Sequence, residues 1–180
     1  MKAQPGSPDS AGNSFTLLHL VAGSTGAGKT SYARSLSEKY GGLLLSIDPW
    51  MSTLFGPDQP ATPDFAWLKV RTGRCEEQMW ELIHQCAHMG LPVIADCGFT
   101  RRDHRARWRD RAMAAGIAAA LHHLDVPVEV RWNRVQERNQ RKGATFSFEV
   151  SRAMFDFIEG LWQPPSASEL QGFAPASGSR

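Results

Sequence analysis

The sequence predicts an α/β fold, a parallel sheet of four to five strands with helices on both faces. Three observations predict it. Apolar, β-capable runs alternate with helical periodicities, the order that builds a parallel sheet through crossover connections. A glycine-rich stretch, Gly23-Ser24-Thr25-Gly26-Ala27-Gly28-Lys29-Thr30, stands between the first such run and the first helix. The next two strand-like runs end on carboxylates, Asp48 and Asp96.

The glycine stretch fits G-x-x-x-x-G-K-[ST], the phosphate-binding P-loop, in the strand–loop–helix setting that the motif requires. Phe15 to Ala22 is the strand, and Ser31 to Tyr40 reads as the helix, ended by Gly41-Gly42. The glycines let successive backbone N–H groups turn inward as an anion nest, and the helix start adds the positive end of its dipole. Lys29 has the reach for β- and γ-phosphates, and the Thr30 hydroxyl offers an oxygen to Mg²⁺. The expected nucleotide-binding set is Gly23, Ser24, Thr25, Gly26, Ala27, Gly28, Lys29, Thr30 and Ser31, with ATP and Mg²⁺ as ligands. The architecture this implies is a P-loop NTPase three-layer α/β/α sandwich.

The remaining elements follow in order. Gly42 to Asp48 reads as a buried strand stopped by Pro49, then a Pro/Gly-rich loop runs to Pro63. Asp64 caps a helix whose apolar face is Phe65, Leu68, Val70, Cys75, Met79, Leu82, Ile83 and Cys86, with Thr72-Gly73 expected to kink or divide it. Leu91 to Gly98 is a third strand, and Thr100 caps a basic helix from Arg101 to Ala115. Ile117 to Val126 is the fourth strand, Pro127 opens a helix to Lys142, and Phe148 to Trp162 is a last amphipathic helix. A fifth strand has one candidate, Glu169 to Pro175.

Length and composition bound the function. One domain is expected over residues 14–165, after a disordered segment at 1–13 and before a tail at 166–180 that holds the candidate edge strand. A net charge of +2 gives no reason to invoke nucleic acid or a membrane surface. No apolar run is long enough to span a bilayer, and the first residues lack a signal peptide's apolar core. Cys75, Cys86 and Cys97 lack C-x-x-C spacing and read as reduced thiols, so a cytoplasmic location is expected. His84 and His88 do not form H-E-x-x-H, and no zinc site is expected of them.

Two acids at strand ends beside a P-loop suit a base for an acceptor and a carboxylate for the Mg²⁺ shell; as turn residues they would be structural. Arg131, Arg134, Arg138 and Arg141 fall on one helical stripe beside Val128, Trp132 and Val135. Glu137 is the nearby acid on that helix, so the stripe reads as a phosphate clamp in preference to a salt-bridged surface. An acceptor region is expected at Asp48, Trp50, Arg71, Arg74, Asp96, Arg101 and Arg102, where aromatics would stack a ring and arginines would hold an anion. The bland reading of the same residues is core tryptophans and a basic surface helix.

These residues together resemble the small P-loop kinases related to polynucleotide 5′-kinase, zeta toxins and chloramphenicol phosphotransferase, over roughly Leu17 to Pro164. The resemblance implies that Asp48 is the general base toward an acceptor hydroxyl. It also implies that Arg134-Val135-Gln136-Glu137-Arg138, an R-x-x-x-R helix, is a lid over the phosphates. Lys29, Asp48, Arg134 and Arg138 are then the catalytic set, with Thr30 and Asp96 at the metal. The strand Val93-Ile94-Ala95-Asp96 departs from the family's longer apolar run before its acid. The expected activity is transfer of the ATP γ-phosphate to a hydroxyl of a small-molecule or nucleotide-like acceptor. A polynucleotide 5′-kinase tracking phosphates along Arg101–Arg111, or a regulatory ATPase without acceptor, are the alternatives.

Overall fold

The computed structural model describes residues 17–60, 64–141 and 149–175. Four strands, β1 (Leu18–Ala22), β2 (Leu43–Ser46), β3 (Val93–Asp96) and β4 (Ala119–His123), pair in the order β2-β3-β1-β4, and every pairing is parallel. Seven helices complete the described residues: α1 (Lys29–Tyr40), α2 (Ile47–Phe55), α3 (Phe65–His88), α4 (Arg102–Ala114), α5 (Val128–Arg141), α6 (Arg152–Leu161) and α7 (Ala167–Gln171). None of them is long and apolar enough to cross a membrane.

The three layers follow from the two-residue period of the strands. Leu18, Leu20, Ala22, Val93, Ala95 and Leu121 pack with Met79, Trp80 and Ile83 of α3 and Trp108 and Ala112 of α4. The alternate residues Val21 and Ile94 pack on Ala33 and Leu36 of α1. Strand β1 is buried along its whole length, and each such Leu or Val contributes about 1.5–3 kcal/mol by leaving water. His19 also faces α1: its Nδ1 lies 3.0 Å from His122 Nε2, whose Nδ1 lies 3.0 Å from the Tyr32 hydroxyl. Burial, with Lys39 nearby, holds His122 below the ordinary imidazole range.

Several expected elements change. Pro49 does not stop β2 but sits in the first turn of α2, where a missing N–H costs nothing. Asp48 is therefore a residue of that first turn and not the end of a strand. Helix α3 runs unbroken through Thr72-Gly73, because the buried face Cys75, Met79, Trp80, Ile83 and Cys86 outweighs about 1 kcal/mol of glycine propensity. Its first turns project Phe65, Leu68 and Val70 into solvent, not onto the core. Helix α4 starts one residue after Arg101, and Thr100 does not cap it. Helix α6 starts at Arg152 with Ser151 capping Met154; Phe148 and Lys142 lie outside the described residues.

The candidate fifth strand is a correction of a different kind. Residues 167–171 form α7, whose Ser166 cap accepts from Glu169 N–H, and Ala174 N–H donates to Ala119 O of β4. The reason is charge. Glu169 is buried against Arg105, itself 0% exposed, with Arg105 Nη2 donating to Glu169 Oε2 at 2.9 Å and Nη1 to Phe99 O at 3.0 Å. A strand would turn that carboxylate away from its partner.

Replacing Glu169 by Gln should leave the Arg105 charge buried without its counter-ion and cost about 3–5 kcal/mol in urea unfolding. The double variant Arg105→Met/Glu169→Leu should recover most of that loss, the outcome expected of a paired buried charge.

Candidate active site

The P-loop leaves β1 at the sheet's carboxyl edge. Gly26 and Gly28 take left-handed backbone angles, φ 79° and 91°, and Gly28 caps α1. Gly26 has a second reason to be glycine: any Cβ there would strike the backbone carbonyl of Arg131 on α5. The loop opens onto a cavity of about 440 Å³ lined by Thr25, Gly26, Gly28, Lys29, Thr30 and Ser31 on one side. Ile47, Asp48, Asp96, Cys97, Gly98 and Thr100 line the strand ends, and Arg134, Val135, Arg138, Val150 and Ile158 the opposite wall.

Charge is concentrated in this space. Lys29 Nζ donates to Ser24 O at 3.2 Å. Burial lowers its pKa below that of a free lysine, and nearby Arg131 and Arg138 act the same way against Asp96 and Asp48. Thr30 Oγ1 donates to Asp96 Oδ2 at 2.8 Å. Burial pushes the Asp96 carboxyl up, while Thr30, Lys29 and Ser46 pull it down. A hydroxyl and a carboxylate in contact at the foot of the phosphate loop are hard oxygen donors, the set that suits Mg²⁺ with its remaining waters. Arg138 Nε is buried and has no hydrogen-bond partner among the described residues, and burial lowers its pKa while Asp48 opposes. An unpaired guanidinium donor in a cavity with a glycine nest calls for an anion. Cys97, whose thiol burial pushes well up, is a neutral wall and no nucleophile.

A family model described as an AAA domain matches residues 18–161. The chain belongs to this AAA-domain family. No match was found among curated protein sequences. Among solved structures, a sugar kinase from Janibacter sp. is 19% identical with a TM-score of 0.60, covering 86% of this chain and 82% of its own. A gluconokinase from Sinorhizobium meliloti is 18% identical with a TM-score of 0.57, covering 87% and 80%. Kti12 from Chaetomium thermophilum, solved with ADP-AlF3, is 15% identical with a TM-score of 0.56, covering 88% and 86%. The AAA domain thus has the fold of the small P-loop kinases.

Within this AAA domain the arginine stripe divides. Arg134 and Arg138 line the cavity, and Arg134 Nη1 reaches Ala27 O at 3.4 Å. Arg131 is buried in an ion pair with Glu159 of α6, and exposed Arg141 lies 3.9 Å from Glu137. Of the expected acceptor residues, Asp48 and Asp96 line the cavity; Trp50, Arg71, Arg74, Arg101 and Arg102 do not. Trp50 packs on the core, Arg71 stacks on Trp67 at 3.9 Å, Arg74 and Arg102 face solvent, and Arg101 pairs with Asp103. Sequence reasoning passed over Gly98, Thr100, Val150 and Ile158 of the wall, and Glu159 behind it. Thr100 follows β3 closely enough to have been found; Glu159 carries no local signal.

The Lys29 pKa has a consequence for stability. The unfolded chain holds this proton up to 10.5, the folded protein less far, so keeping Lys29 charged costs stability at neutral pH, and the cost fades as pH rises toward 10.5. Ligand-free Lys29→Met should therefore melt above the wild type at pH 7, with the gain shrinking in alkaline buffer. The same variant should show no thermal shift with ADP and Mg²⁺; a wild-type shift would remove Lys29 from the phosphate site.

Proposed function

We propose that this protein is an ATP-dependent kinase that transfers the γ-phosphate to a hydroxyl of a small-molecule or nucleotide-like acceptor. The observation that carries the reading is the convergence of Asp48 with Lys29 and Arg138 on one cavity, a carboxylate close enough to act electrostatically on both cations. The P-loop amides and Lys29 bind the β- and γ-phosphates. Arg134 and Arg138 close over them from α5 and exclude water. Asp48 takes the proton of the acceptor hydroxyl as its oxygen attacks the γ-phosphorus; the bond from that phosphorus to the bridging oxygen breaks, and ADP leaves. Mg²⁺ held at Thr30 and Asp96 supplies neutralisation of phosphate charge.

A small acceptor is favoured over a polynucleotide because Arg101 and Arg102 stand outside the cavity on an exposed helix start. Binding of an oligonucleotide that falls steeply with salt would reverse it.

Asp48→Asn keeps size and most hydrogen bonding but cannot take a proton. With a panel of hydroxylated metabolites as acceptors, it should bind ATP·Mg²⁺ normally and lose acceptor-dependent ADP release by about 10²–10⁴-fold. Turnover near wild type per folded molecule would exclude Asp48 as the base. Wild-type ATP hydrolysis that no acceptor stimulates would make the protein a regulatory ATPase instead.

Arg138→Lys preserves charge and loses the planar fork. It should slow transfer more than it weakens ADP binding, by about tenfold or more if the fork meets charge only in the transition state. Equal rates at saturating ATP would reduce the arginine to a solvated lid residue.

A further inference from the structure

Helix α6 contributes to the cavity only Ile158, yet its next residue reaches the phosphate loop. Glu159 Oε2 accepts from Ser24 Oγ at 2.7 Å and from Arg131 Nη1 at 2.7 Å, and Oε1 accepts from Arg131 Nη2 at 2.7 Å. Arg131 Nη1 also donates to Thr25 O at 3.2 Å and its Nε to Val126 O at 2.8 Å. The pair is a bidentate fork with the guanidinium side chain 5% exposed. Arg131 holds the Glu159 carboxyl below its ordinary range, so it stays ionised. Phe155, one turn back on α6, lies under the same guanidinium at 5.5 Å.

The backbone completes the junction. The Arg131 carbonyl presses on Gly26, so the first turn of α5 and the phosphate loop touch without a side chain between them. Arg134 and Arg138 stand one and two turns farther along the same stripe. Any tilt of α5 about this contact moves the Arg138 fork across the cavity, and the Glu159 bonds resist that tilt at its base.

We propose that Glu159 is a positioning residue: through Arg131 and Ser24 it fixes the lid helix against the phosphate loop, so that Arg134 and Arg138 meet the γ-phosphate. Glu159 touches no reacting atom. The inference rests on the nucleotide-binding half of the kinase reading and needs no acceptor.

The test is calorimetric binding of ADP and of the non-hydrolysable β,γ-imido analogue of ATP, both with Mg²⁺, alongside melting temperatures. Glu159→Gln keeps the shape and an acceptor for Ser24 but loses the charge. It should cut the analogue's affinity advantage over ADP by about fivefold or more, the low end of coupling between linked groups, with ADP affinity within about twofold of wild type. Glu159→Asp, with the charge on a shorter arm, should regain part of that advantage. An unchanged advantage in Glu159→Gln, or both nucleotides weakened in proportion, overturns the proposal and leaves the pair a structural bond. If the Glu159 variants do not fold, Ser24→Ala removes one hydroxyl bond alone; a reduced advantage at unchanged melting temperature supports the proposal, and an unchanged one overturns it. Because acceptor is absent from these assays, a protein that passes them and transfers no phosphate loses the kinase reading and keeps this one.

Discussion

Strands that run the same way end along the same edge, and in this protein that constraint decides where the chemistry sits. β1 pairs on both sides, and its five buried residues fix the point at which the P-loop begins. β3 ends on Asp96 in register with Ser46, the last residue of β2, whose side chain helps hold the Asp96 carboxyl down. The Asp48 turn follows two residues later. No side chain has to travel far: three strand ends deliver a glycine nest, an ammonium, a hydroxyl and two carboxylates to one opening.

That crowding is held at a cost in stability. Lys29 is pulled out of water among two carboxylates and two guanidiniums, and Asp96 is raised by the same burial that raises no alarm at Leu20. Arg138 Nε is left with a donor that nothing among the described residues answers. Each of these is unfavourable in itself, and under the proposed function a polyanion with a cation would relieve each.

The parts legible in the sequence were those whose physics is local. The P-loop, its flanking strand and helix, and the strand carrying Asp96 depend on neighbours a few residues away, and all stand where pattern puts them. The arginine stripe was legible as a stripe and not as a division of labour, because periodicity reports which residues share a face and not what lies opposite it. Arg131 turned to Glu159 and Arg134 to the loop for reasons set 28 and 107 residues along the chain. Pro49 was read as a stop because the same residue ends a strand or begins a helix, and only the packing of Ile47 on the core decides which. Trp50 and Arg71 lie away from the cavity, packed on the core and on Trp67, and pattern does not report this: an aromatic beside an arginine looks alike whether it awaits a ligand or has already stacked.

Phe99 is the one described residue other than glycine with a positive φ, 45°, and it is fully buried between Gly98 and Thr100 of the cavity wall. Its carbonyl is held by Arg105, and Arg105 by Glu169 of α7, six residues and more beyond the span shared with the family. The wall of the site is thus braced from a segment that a boundary drawn by homology would discard. A protein trimmed to the shared span would keep every residue that lines the cavity, yet it would set loose the strained turn that frames the opening. In this chain the edge of the domain and the edge of the function do not coincide.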